Sequence, residues 1–247
     1  MAASPALVVF ATALATALAT GAGALPFAFG RAGMQRWLGA GNAIASGVMV
    51  GASAGLVTEG VHRDTMRTAI GALAGGVFAH LAYTFTARHH NARMGVLRGP
   101  NARSAILIVA VMTAHSAAEG IGIGAAFGGS GAFGLVIAVA MAIQNIPEGL
   151  AISLVLVPRG MRVGAAAAWS VFSSLPQPLV AVPAFLFVEQ FASVLPISLG
   201  FAAGAMVWMV ARQLLPEALA KASRRAVLMD GLVAFVLMLA LQLKLAA

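Results

Sequence analysis

His115 and Glu119 stand four residues apart in "HSAAEG", and Gln144 and Glu148 repeat that spacing in "QNIPEG". Both pairs lie within long apolar runs. Residues four apart share one face of a helix, one turn apart, so each pair can aim two side chains at a single point. The chain has no cysteine, which removes disulfides and thiolate ligands. An imidazole, two carboxylates and an amide oxygen remain. That donor set suits zinc, iron(II), manganese and similar first-row ions better than calcium or magnesium, which prefer oxygen alone.

Depth sharpens the reading. At about 1.5 Å of rise per residue, His115 lies roughly 18 Å from Arg103 and Glu148 roughly 16 Å from Arg159. Glu119 then falls at about 24 Å and Gln144 at about 22 Å, so two helices could present four donors in two tiers. The acidic residues are Glu59, Asp64, Glu119, Glu148, Glu189, Glu217 and Asp230, and only Glu119 and Glu148 fall well inside apolar runs. An unpaired carboxylate at that depth costs at least a few kcal/mol, and no Lys or Arg lies level with either. Protonation or a bound cation must offset the charge, and one divalent ion would cancel both. Pro147 lacks an N–H, which predicts a carbonyl freed at Ile143 and a kink beside the pair.

The elements that must carry these residues are membrane spans. The 247 residues are 61% hydrophobic and 9% charged, with a mean hydropathy of +0.95, values that exclude an ordinary soluble domain. About 20 apolar residues are needed to cross a bilayer. Runs near 5–29, 38–59, 68–87, 104–127, 131–157, 163–187, 191–217 and 226–246 predict an all-α polytopic protein in one transmembrane domain. No alternating strands of barrel type occur. The run "ATALATALATGAG" has the small residues of a signal cleavage region, but the first basic residue is Arg31, so the sequence predicts a retained helix.

Lys and Arg favour cytoplasmic loops. Arg31, Arg36, Arg88, Arg93, Arg98, Arg103, Arg159, Arg162, Lys221, Arg224 and Arg225 fall on one side, with Arg212 near the same end of its span, against Arg63, Arg67 and Lys244 on the other. Both termini are therefore expected on the extracytoplasmic side, with 88–103 a cytoplasmic basic loop. The net charge of +8 is read as this orientation signal and headgroup contact, not as a nucleic-acid surface. No "GxxxxGK[ST]" motif is present, so nothing points to nucleotide hydrolysis.

Two internal repeats follow. "MTAHSAAEGIGI" (112–123) aligned with "MAIQNIPEGLAI" (141–152) matches Met112 with Met141, Glu119 with Glu148, Gly120 with Gly149 and Ile123 with Ile152, with His115 opposite Gln144. The uncharged "GGSGA" joins the two spans, so they are antiparallel neighbours. "ASGVMVGASAGLVTEG" (45–60) resembles "AAGAMVWMVARQLLPEA" (202–218), pairing Met49 with Met206 in spans of opposite direction. Inverted repeats are a common plan of secondary transporters with a midplane site.

At "HSAAEG", "QNIPEG", "AAGAM…LLPEA" and the His-bearing basic loop "RHHNARMGVLRGPNAR", the chain resembles the ZIP (Zrt/Irt-like) divalent metal transporters over essentially its whole length. The resemblance implies a 3+2+3 arrangement, with spans 1–3 and 6–8 as inverted repeats around spans 4 and 5. It also implies a dimer, and metal moved toward the cytoplasm by one helix bundle sliding against another. The metal site it implies is His115, Glu119, Gln144 and Glu148, with Met49 as a fifth contact. A second adjacent site would use Ser116, Asn145 and Gln177 with the shared Glu119 and Glu148. The family usually has Glu where this chain has Gln177 ("QPLVA"), so one metal is expected, not two. The ion, zinc or else iron, manganese or cadmium, is cargo, and no resident cofactor or enzymatic activity is expected.

Lesser candidates are His62 with Glu59 and Asp64, either a metal collector at the outer mouth or a solvated loop, and His89 and His90 in the inner loop. His80 and Glu217 are candidates to line an exit. Trp37, Trp169 and Trp208 read as interface anchors or packing. Two other functions fit the buried residues: an intramembrane metal-dependent hydrolase, although "HExxH" is absent, and a proton-linked solute carrier that uses the Glu pair without metal.

Overall fold

A computed structural model describes residues 4–29, 34–88 and 99–246. Ten helices lie among them: α1 (Pro5–Ala22), α2 (Met34–Arg63), α3 (Thr65–Arg88), α4 (Gly99–Gly129), α5 (Gly131–Leu156), α6 (Val163–Ser174), α7 (Pro176–Gln190), α8 (Leu195–Met209), α9 (Leu215–Lys221) and α10 (Arg224–Ala246). No strand occurs among the described residues. Eight stretches are long and apolar enough to cross a membrane. α1 to α5 supply one each, α6 with α7 the sixth, α8 with α9 the seventh, and α10 the eighth.

Proline chemistry explains two interruptions that hydropathy missed. The run expected over 163–187 is two helices, because Pro176 and Pro178 cannot donate to the carbonyls of Phe172 and Ser174, so the helix breaks at Leu175. In the seventh span Val210–Leu214 is a π-helical turn before Pro216, in which the Leu215 N–H reaches the Val210 carbonyl. The extra residue separates the Pro216 ring from the carbonyl it would otherwise strike. By contrast, α5 stays helical through Pro147. The linker between α4 and α5 is Ser130 alone, whose hydroxyl accepts from the Phe133 N–H (3.1 Å) and caps α5. The loop expected over 88–103 is shorter, since α3 runs to Arg88 and α4 begins at Gly99; residues 89–98, with His89 and His90, lie outside the described residues.

Successive spans run in opposite directions. Arg63, Ser130 and both ends of the described chain therefore share one face of the bundle (the terminus face), and Arg159 and Arg224 share the other. Packing follows the inverted repeat. Exchanging spans 1–3 with 6–8 converts the α3–α8 contact into the α10–α2 contact, and exchanging spans 4 and 5 as well converts α1–α5 into span 6 against α4; all four contacts are present. α3 and α10 are the least buried spans and present Leu73, Val77, Leu81, Leu232, Val236 and Leu237 outward, as lipid-facing helices do. The site sits on α4 and α5 at the centre.

Candidate metal site

α4 brings His115 and Glu119 to the core, and α5 brings Gln144 and Glu148. All four are buried, Glu119 and Gln144 at 0% exposure and Glu148 at 2%. His115 Nε2 lies 3.3 Å from Glu119 Oε1 and 3.6 Å from Glu148 Oε1. Across the helix pair, Gln144 Nε2 donates to Glu119 Oε1. Each residue thus faces the one that the rise per residue placed at its own level. Among the described residues this is the single group of three or more His, Asp or Glu side chains whose donor atoms converge, all within 4.8 Å of one another.

A close approach brings in a third helix. A methyl at Gly120 would lie 2.6 Å from the Gln177 carbonyl oxygen, so its absence lets the first turn of α7 pack directly on α4 beside Glu119. Gln177, 0% exposed, donates through Nε2 to Glu119 Oε2 and to Asn145 Oδ1 (3.4 Å). Its Oε1 accepts from Asn145 Nδ2 and comes within reach of the Thr16 hydroxyl, both at 3.0 Å. Asn145 Nδ2 also donates to the Thr16 carbonyl (2.7 Å). One turn along α1, the Thr20 hydroxyl meets that of Ser174 at 2.8 Å. The helix break at Leu175 is what sets Ser174 and Gln177 against α1. Thr16 and Thr20 escaped the sequence reading, in which they are the last two of three threonines, with Thr12, spaced four apart along α1.

The two halves of the site differ in how far they satisfy themselves. Gln177, Asn145 and Thr16 use one another's donors and acceptors. On the other half, His115 Nδ1 and Nε2, Gln144 Oε1 and Glu148 Oε1 are buried without a hydrogen-bond partner. Such groups are costly in a dry interior unless something else engages them. With metal–ligand bonds of about 2.0–2.1 Å, neighbouring donors of a tetrahedral ion sit roughly 3.3–3.4 Å apart. The imidazole-to-carboxylate separations of 3.3 and 3.6 Å are of that size. The residues present therefore fit a divalent transition ion.

Of the remaining sequence candidates, Met49 is fully buried on α2, and Ser116 is buried beside His115 on α4. His62 is exposed, while Glu59 is held by Arg63 (2.7 Å) and Asp64 by Arg67 (3.4 Å), so the proposed collector does not assemble around His62. His80 packs edge-on against Trp208, with centroids 5.9 Å apart, and is not among the converging donors, and Trp169 packs against Phe172. Glu217 is half-buried on α9, also outside the cluster, and the Trp37 side chain lies outside the described residues. A narrow cleft that touches His115 is lined by Phe78, Tyr83, Val111, Trp208 and Met209, between α3, α4 and α8.

A family model described as "ZIP Zinc transporter" matches residues 84–241. An Arabidopsis thaliana protein named as a putative zinc transporter is 45% identical over 213 residues, covering 85% of this chain and 34% of that protein. The zinc transporter GufA of Myxococcus xanthus is 29% identical over 154 residues, covering 62% of this chain and 61% of its own. The chain thus matches about a third of the first relative's length and under two thirds of the second's. With eight candidate spans and a family match over more than half of its length, this chain belongs to the ZIP zinc transporter family.

Proposed function

We propose that the protein is a secondary transporter that carries divalent transition-metal ions, zinc foremost and iron, manganese or cadmium besides, across a cell membrane toward the cytoplasm. The observation that carries the reading is the His115–Glu119–Glu148 cluster. It holds two carboxylates and an imidazole at tetrahedral spacing, with the His115 nitrogens and Glu148 Oε1 unspent, buried where none of the described Lys or Arg side chains forms an ion pair with them. A dication supplies the missing charge, and loading it lowers the cost of moving both carboxylates past an apolar layer. After release, protonation of the same carboxylates would permit the empty return. Gln144 and Met49 complete the donor set. One ion is bound, because Gln177 contributes no charge and its partners are satisfied without a second. Termini outside and a homodimer follow the loop charges and the family plan, and an inner-membrane location follows the Ala-, Gly- and Arg-rich composition and compact loops, which have a bacterial character.

Glycine contacts support a two-bundle mechanism. Within spans 1, 4, 5 and 6, helix backbones touch: a methyl on Gly149 would lie 1.7 Å from the Thr20 carbonyl oxygen, and on Gly124 2.2 Å from that of Ala181. Spans 2, 3, 7 and 8 interlock in the same way, with Gly75 at 1.9 Å from the Phe201 oxygen, Gly204 at 2.0 Å from that of Ala72 and Gly47 at 2.1 Å from that of Gly231. Between the sets, glycines meet side chains instead: Gly41 meets Leu150 Cδ2, Gly122 meets Ala202 Cβ and Gly129 meets Leu195 Cδ2. Backbones in van der Waals register resist sliding, whereas side-chain surfaces can shift rotamers. His115, Glu119, Gln144 and Glu148 all ride on one set.

The test is uptake of radioactive zinc into proteoliposomes. Glu119→Ala and Glu148→Ala each abolish uptake while the protein remains monodisperse and helical; wild-type rates in either variant overturn the assignment. Cleavage of a peptide or lipid by the purified protein would favour the hydrolase instead.

A further inference from the structure

Met141 lies one turn before Gln144 on α5 and is fully buried. Its Sδ is 3.1 Å from Gln144 Nε2. The same nitrogen donates to Glu119 Oε1, so both amide protons of Gln144 are engaged, while its Oε1 has no hydrogen-bond partner. A thioether accepts weakly and donates nothing, and a carboxylate only accepts, so the two together select the NH2 end of the amide and turn the oxygen away from them. A methyl built on Gly122 would lie 3.6 Å from Met141 Cε, at ordinary contact distance, so α4 passes close to the thioether methyl. Met141 is thus packed close to α4 as well as within its own helix.

We propose that Met141 is a positioning residue for metal binding, one that fixes the Gln144 amide so that Oε1 is the atom offered to the ion. The inference rests on the transport reading above, in which Gln144 is a ligand. Without the sulfur, a half-turn of the amide would present NH2, which cannot ligate a cation. Glu119 alone is a poor selector, because the approach of the ion draws its oxygens away from the amide and toward the metal.

Met141→Leu keeps an apolar side chain of similar volume and removes the acceptor. Zinc affinity of the purified full chain by calorimetry should fall about three- to ten-fold, and the KM for uptake should rise with little change in maximal rate. The metal-free melting temperature should stay within a degree or two. A structural role predicts a different outcome: lowered melting temperature and maximal rate with unaltered affinity. The deciding measurement is the double variant. In a Gln144→Glu background both side-chain oxygens are equivalent and nothing needs orienting, so adding Met141→Leu should leave zinc affinity within two-fold. A full three- to ten-fold loss in that background, or unchanged affinity in the single variant, overturns the proposal. If the wild type itself binds no zinc, or Glu119→Ala binds it normally, the transport reading fails first.

Discussion

Replacing Gln177 by Glu inverts the balance on which the proposed one-ion site rests. In the wild-type chain the Gln177 amide donates to Glu119 Oε2 and to Asn145 Oδ1 and accepts at Oε1 from Asn145. Gln177→Glu removes both donors and sets a carboxylate against a carboxylate, both fully buried. At about 3 Å and an effective dielectric near 20, the repulsion is roughly 5 kcal/mol. That is comparable with the whole stability margin of many domains. The pair must therefore hold a proton, recruit a second divalent ion, or unfold. The metal-free variant should melt well below the wild type, and zinc should restore most of the difference. Elemental analysis after zinc loading should give about one ion per chain for the wild type and two for the variant, with calorimetry resolving the second site. A variant that stays at one ion, with unchanged metal-free melting, would refute the reasoning. Two ions in the wild type would refute it from the other side.

Two further outcomes follow from the helix contacts. Gly75→Ala drives a methyl into the Phe201 carbonyl oxygen at 1.9 Å. The cost of about 1–3 kcal/mol for overpacking outweighs the 0.5–1 kcal/mol or so that alanine gains in a helix, so melting in detergent should fall. Because the chain lacks cysteine, introduced pairs can be cross-linked cleanly. A disulfide from Gly122→Cys with Ala202→Cys, across the two sets, should stop zinc uptake until reduced. One from Gly51→Cys with Met238→Cys, within one set, should leave it largely intact; equal effects would refute the partition.

What the sequence made legible divides along physical lines. Charge in hydrocarbon has few explanations, so Glu119 and Glu148 stood out at once, and the period of the helix was enough to pair His115 with Glu148 and Gln144 with Glu119 across two spans. Span count was legible for the same reason: hydropathy integrates over 20 residues and tolerates local error. The breaks were not, because a window average does not register a missing N–H. "LPQP" looks merely apolar until Pro176 and Pro178 are asked where the carbonyls of Phe172 and Ser174 find donors. Neutral polar groups were the hardest. Thr16 and Thr20 cost little to place in a helix, and a four-residue spacing shared with Thr12 does not separate them from packing; Asn145 was named only through the family resemblance. Gln177 was visible only through the family resemblance. Met141 was aligned with Met112 but, as an ordinary core residue type, gave no hint of a polar contact.

The distribution of donors across the two sets bears on how such a site could move. If the set carrying α4 and α5 slides past the set carrying α2, any ligand contributed from α2 must detach in each cycle. A carboxylate or imidazole there would bind the ion strongly in one position and leave an uncompensated group buried in the other, raising the barrier by several kcal/mol. A thioether is a weak donor and an adequate hydrophobe, so its detachment costs little in either position. Met49 is the α2 residue proposed to reach the ion, and it is a thioether. On this argument Met49→Ala should weaken zinc binding modestly while leaving turnover high, whereas Met49→Glu should bind zinc more tightly and carry it more slowly. Faster carriage by the Met49→Glu variant at saturating zinc would show that the α2 contact does not break during transport.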